Sequence, residues 1–181
     1  MFWKSSPSPH TTGRSDFESL RVPLALQVER RLSEDLQRCV QEADWSGLKH
    51  VLRQLEEKAG DLGAASVAAI VNSRPSAQAP TALHLVCGRG ESHELARRLL
   101  ALGADPNVRA TIVSMRGNVP ADDRPTPLYC AIGCNDLKLT KLLIKHGAVV
   151  EDRNGLGESP LLFSIRTHAY WSRESRAFQR I

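Results

Sequence analysis

The chain has 181 residues and a mass of 19.9 kDa, which fits one domain with tails on the usual scale of roughly 100–200 residues per domain. Apolar residues make up 41% and charged residues 24%, and no apolar run approaches the ~18–20 residues of a membrane-spanning helix, so wholesale disorder and a membrane protein are excluded. Lys and Arg number 24 against 20 acidic residues, a net charge of +4, and aromatics are 5%, too mild a bias and too few stacking rings for a dedicated nucleic-acid binder.

Residues 1–22 read as a disordered Ser/Pro-rich tail. Their lack of acid, with Lys4 and Arg14, superficially suits a mitochondrial presequence, but Pro7 and Pro9 break the helix that such a leader needs. The start has no apolar run of a secretory signal, and four cysteines (Cys39, Cys87, Cys130, Cys134) are too sparse for a secreted disulfide scaffold. A reducing cytosol or nucleus is expected. Leu24, Val28, Leu32, Leu36 and Val40 then recur every four residues between charges, the signature of an amphipathic helix. Asp44 and Ser46 interrupt it. Leu48, Val51, Leu52 and Leu55 predict a second helix ending near Gly60, giving an αα-hairpin. Residues 61–80 are mixed: small residues from Ala64 to Val71, then loop-like Pro75, Ala77 and Pro80.

Beyond residue 80 the sequence repeats itself. Thr81-Ala-Leu-His84 leads to Leu95, Leu99, Leu100 and Gly103-Ala-Asp-Pro-Asn107. Thr126-Pro-Leu-Tyr129 leads to Leu139, Leu142, Leu143 and Gly147-Ala148, and a third start lies at Gly157-Glu-Ser-Pro-Leu161. Leu128 and Leu161 are 33 residues apart; Leu83 and Leu128 are 45 apart, with the extra length mainly in the connection holding Arg109–Arg124. These motifs resemble the ankyrin-repeat family, with its Thr-Pro-Leu-His start and Gly-Ala-Asp-x-Asn ending. The resemblance covers 81–168 well. Tyr129 and Leu162 depart from the family histidine, and Val149-Val150-Glu151 departs from Asp-x-Asn.

The resemblance implies an all-α solenoid of three to four stacked helix-turn-helix repeats with β-hairpin-like fingers, two of them lengthened. Its domain would run from 23 to 168: a diverged repeat at 24–60, with Asp44-Trp-Ser-Gly-Leu48 as its turn, and repeats starting near 81, 126 and 159. Residues 169–181 would be a C-terminal cap or a truncated last repeat, with Tyr170, Ala177 and Phe178 on one side. Thr126 and Ser159 suit helix N-caps, Pro127 and Pro160 the first helical position, and Gly103 and Gly147 the left-handed residue past a helix end. Leu83, Leu128 and Leu161 would begin the buried stripes.

Chemical readings find little support. Cys130 and Cys134 are four apart and, with His84 or His146, could be read as a zinc site, but the family alignment puts Cys87 and Cys130 in ordinary stacking positions. His84 matches the family's motif histidine, which hydrogen-bonds loop backbone. Gly88-Arg-Gly90 lacks the length and the Lys-Ser/Thr of a phosphate loop. No catalytic residue, metal or cofactor is expected.

The family docks partners on its concave face, made of fingers and the exposed side of first helices. Carried over by position, the candidate partner-binding residues are Arg89, Asp123, Arg124, Arg153, Glu158 and Arg166. The long finger adds apolar Ile112, Val113 and Met115. The expected function is non-catalytic protein–protein binding, as an adaptor, scaffold or regulator. The arginines would favour a partner with an acidic segment. Alternatives are the substrate-recognition part of a larger enzyme or ubiquitin-ligase adaptor, and a nuclear transcription cofactor. The chain is expected to be monomeric, without membrane contact, and not to bind nucleic acid.

Overall fold

A computed structural model describes residues 24–89, 92–111 and 124–168. Seven helices follow in order: α1 (Leu24–Glu42), α2 (Trp45–Leu62), α3 (Ala64–Val71), α4 (Ala82–Arg89), α5 (His93–Ala101), α6 (Pro127–Gly133) and α7 (Leu137–Lys145). The chain is helical again over 160–168 (α8). The described residues contain no strand. The tail at 1–22 and the segment 169–181 lie outside the described residues.

The helices stack in two layers. First helices meet first helices, α1 on α4 and α4 on α6, and second helices do the same, α2 on α5 and α5 on α7. The reason is the apolar stripe on each. Leu48, Val51, Leu52 and Leu55 on α2, Leu95 and Leu99 on α5, and Leu139 and Leu143 on α7 are all buried. The first helices enclose small residues: Ala82 and Cys87 on α4 and Ala131 on α6 have no exposed surface, which suits the close packing of α4 on α6. One unit leaves its stripe bare; the stack covers it.

Helix ends follow local chemistry. The Asp44 carboxylate accepts from the Ser46 and Gly47 amides at 3.0 Å, and that of Asp136 accepts from the Leu139 amide at 3.0 Å. Gly103 and Gly147 sit at φ +90° and +87°, just past α5 and α7. There the Ala104 and Ala148 amides return to the Leu99 and Leu143 carbonyls, closing each helix in a left-handed turn.

Four expectations change. Thr126 stands before α6 in extended conformation, but its side chain makes no capping bond; Pro127 removes one amide that would need it. The small-residue stretch from Ala64 forms α3, packed on α1 and α2, and a Cβ on Gly103 would stand 2.9 Å from that of Ala68. Leu24 is 77% exposed. At 19 residues α1 is more than twice the length of α4, so its first turn outruns its neighbours. Leu161 is 71% exposed rather than buried; Pro160, Phe163 and Thr167 face inward instead. Leu161, Leu137 and Ile144 line an open groove of about 460 Å³ between α7 and α8.

Candidate functional site

The fingers that join successive repeats are built by three sets of equivalent side chains. The first set starts each first helix. The ring Nδ1 of His84 accepts from the Thr81 hydroxyl at 2.8 Å and the Thr81 amide at 3.3 Å. The proton therefore sits on Nε2, which donates to the Pro125 carbonyl at 3.2 Å, with Val108 as a further acceptor. Burial pushes this histidine down to about 4, despite those carbonyls, so it is neutral at pH 7. One repeat on, the phenol of Tyr129 does the same work. Its O–H lies 2.7 Å from both the Asp152 and Glu158 carbonyls and shares its proton between them. The departure from the family histidine thus preserves its function. Tyr129→Phe should cost about 1–3 kcal/mol, the range for leaving buried carbonyls without a donor, as a lowered urea midpoint.

The second set is a ladder of asparagines. Asn107 donates to the Gly147 carbonyl at 3.0 Å and accepts from the Val149 amide at 2.8 Å. Asn72 does the same one repeat earlier, to Gly103 at 2.9 Å and from Asp105 at 2.8 Å. Sequence reasoning missed Asn72. The signal was the shared Asn-x-Arg of Asn72-Ser73-Arg74 and Asn107-Val108-Arg109.

The third set is those arginines. Arg74 donates from Nη1 to the Arg109 carbonyl at 3.0 Å. Arg109 donates from Nη2 to the Arg153 carbonyl at 2.6 Å and pairs with Asp152. Arg153, six residues past Gly147 as Arg109 is past Gly103, donates from Nη1 to the Gly157 carbonyl at 2.7 Å. Arg74 and Arg109 each clip their finger to the backbone of the next one, at equivalent carbonyls, whereas Arg153 clips its own finger.

The residues expected to form the binding face divide. Arg153 and Arg124 are exposed at the fingers. Arg166 grips Glu158 with two parallel bonds, 2.8 and 2.9 Å, and lies 5.0 Å over the Phe163 ring. That grip holds the Glu158 carboxyl below its ordinary range. Arg166 and Glu158 therefore satisfy each other rather than presenting bare charge. Arg89 is exposed at the end of α4, its guanidinium 5.4 Å over Trp45, and so stands a full helix away from the finger arginines. Ile112, Val113, Met115 and Asp123 lie outside the described residues.

The thiols are structural. Burial raises Cys39, Cys87 and Cys130, the last two well above the ordinary thiol value. Cys130 donates to the Thr126 carbonyl at 3.3 Å and Cys134 to the Gly88 carbonyl at 2.9 Å. Among the described residues no group of three His, Cys, Asp or Glu is placed to hold a metal ion.

Residues 83–172 match the family described as Ankyrin repeats (3 copies). The chain belongs to the ankyrin-repeat family. The chain is similar to Ankyrin repeat and SOCS box protein 16 of Mus musculus, at 36% identity over 95 residues. That alignment covers 48% of this chain and 18% of the relative. The all-α solenoid expected from the motifs is the fold of the described residues. Ankyrin repeats are protein–protein interaction modules, and among the described residues no helix is long and apolar enough to cross a membrane.

Proposed function

We propose that this ankyrin domain is a non-catalytic adaptor or regulator that holds a protein partner on the face formed by its fingers and first helices, and that the partner offers acidic groups. The observation that supports this reading is the regular row of finger arginines at 74, 109 and 153, held in place at successive repeats. His84, Tyr129, Asn72, Asn107 and the finger arginines are engaged in helix-start bonds, ladders or carbonyl clips. They build a rigid surface rather than a set of reactive groups. Exposed ion pairs are individually weak, ~0.2–1 kcal/mol, so their main effect is on association rate and salt dependence.

The test is affinity capture from cells followed by quantitative mass spectrometry. Arg153→Glu combined with Arg89→Glu should deplete the specific partner several-fold. The convex pair Lys141→Glu and Lys145→Glu should leave it within about twofold, since those charges only touch solvent on α7. Stronger depletion by the convex pair would reject the reading. A second reading, substrate recognition within a ubiquitin-ligase adaptor, is favoured by the name of the mouse relative, which joins ankyrin repeats to a SOCS box. It predicts that the captured partner gains ubiquitin in cells when the chain is expressed.

A further inference from the structure

The apolar groove between α7 and α8 has counterparts earlier in the stack, and there they are filled. α5 packs against both α2 and α4, and α7 against both α5 and α6. Each second helix thus lies in the angle between the preceding second helix and its own first helix. α8 is a first helix, and among the described residues no second helix follows it. One pair of equivalent residues shows the consequence. Leu100 and Ile144 each follow the fully buried leucine of their helix, Leu99 and Leu143. Leu100 is 7% exposed, with α7 beside α5, whereas Ile144 is 46% exposed and lines the open groove with Leu137 and Leu161.

The sequence that follows α8 has the length and the pattern to fill this groove. From the end of a first helix to the end of its second takes 12 residues in both Arg89–Ala101 and Gly133–Lys145, and residues 169–181 supply 13. α6 ends five residues after Leu128, whereas α8 is still helical seven residues after Leu161. The step of 33 between those leucines therefore becomes 35 for a following helix. At that step Leu137–Lys145 falls on residues 172–180, and the two agree position by position. Lys138, Lys141 and Lys145 correspond to Arg173, Arg176 and Arg180; Leu142 and Leu143 to Ala177 and Phe178; Thr140 to Ser175. Leu137 and Ile144, which α7 turns to the groove, correspond to Ser172 and Gln179. That exchange of apolar for polar is what the last unit of a stack needs, because its outer edge faces water. Glu174 breaks the pattern, at the place of the fully buried Leu139.

We infer that residues 172–180 fold back as a terminal helix in the groove between α7 and α8, with Ala177 and Phe178 inward and the three arginines outward, so that the chain closes the apolar end of its own stack. This inference is independent of the reading of the fingers. The terminal helix is held less firmly than α5 or α7, because Glu174 brings a carboxylate to a place where they bury Leu95 and Leu139.

The test is amide hydrogen exchange of the full chain, read by mass spectrometry on fragments covering 172–181 and α4 to α6, at two protein concentrations. The terminal fragments should exchange about tenfold or more slower than an unstructured peptide, equally at both concentrations. Ile144→Asp and Leu161→Asp each place a charge on one wall of the groove, at positions exposed enough to leave the core intact. Each should remove the protection of 172–181 and leave that of α4 to α6 unchanged. Glu174→Leu completes the pattern and should raise the terminal protection about tenfold further. Exchange of 172–181 at the unstructured rate would overturn the inference and leave the groove to a separate protein. Protection that survives both aspartates would overturn it by placing the segment elsewhere, and a loss of protection in Glu174→Leu would reject the register. Protection that appears only at the higher concentration, with a dimer in sedimentation, would put a second copy of the chain in the groove instead.

Discussion

Leu143→Ala is expected to remove about 2–5 kcal/mol of stability, the usual cost of emptying a well-packed leucine site. Leu143 has no exposed surface, and its carbonyl accepts the amide that closes α7 after Gly147. Against a total of about 5–15 kcal/mol for a domain of this size, that is a large fraction. The adjacent Leu142 makes an informative control. The motif pairs the two leucines, but only Leu143 is fully enclosed; Leu142 is half-buried against the rim of the core. Leu142→Ala should therefore lower the urea midpoint clearly less. Equal losses would mean that α7 is rotated about its axis from the arrangement described here.

The second large effect is a dependence on pH. An unfolded histidine titrates at about 6.5, and His84 in the folded chain at about 4. The folded state therefore refuses a proton that the unfolded chain accepts. Stability from this group is complete above pH 6.5 and is lost as pH falls towards 4, a change of about 3 kcal/mol. Glu56 and Glu158 have the opposite kind of shift for their class: Arg98 and Arg166 hold their carboxyls down. Their contribution fades only below about 4.5, where an unfolded glutamate begins to take up protons. The interval between 6.5 and 4.5 thus belongs to His84. Urea unfolding at several pH values should show a sloping stability in that interval for the natural chain. His84→Gln should be less stable at pH 7 and flat across it. A wild-type curve that is also flat would mean that His84 is charged or solvated when folded.

What could be read from the sequence was whatever the repeat forces into a fixed spacing. The Leu83, Leu128 and Gly103, Gly147 pairs announce helices and their ends because stacking needs the same residue types at the same step. The first unit was harder. Its α3 is made of Ala64-Ala-Ser-Val-Ala-Ala-Ile-Val71, in which almost every position is apolar and small, so no face stands out. Asn72 and Arg74 follow it without the preceding Gly-Ala-Asp, which hid their equivalence to Asn107 and Arg109. Tyr129 looked like a departure because sequence compares residue types, whereas the fold compares where a donor proton ends up. The arginines were misjudged for a related reason. Position alone suggested Arg166 as part of a bare basic groove, and Glu158, eight residues earlier in sequence, closes on it. Leu161 was misplaced because a leucine after Ser-Pro is buried only when something lies over it.

The unequal fingers have a consequence for how this chain tolerates change. The second finger is closed by the Ala110 amide on the Pro125 carbonyl, and the third by the Asn154 amide on the Glu158 carbonyl. These bonds are equivalent, yet 14 residues lie between the partners in one and three in the other. The entropy of closing a flexible loop grows only with the logarithm of its length, about 0.6 kcal/mol per doubling. A fivefold longer finger therefore costs little more than 1 kcal/mol, less than one misplaced methyl cluster in the core. The first finger tolerates even more. Pro75, at the place of Ala110, has no N–H to close it, and the Thr111 amide instead reaches across to the Gln78 carbonyl at 2.7 Å. Insertions between the closing bonds are nearly free in folding terms, while a single residue added inside α4 or α6 would turn its stripe away from the stack by about 100°. Lengthening and rewriting can therefore proceed at the finger tips without disturbing the helices that carry them.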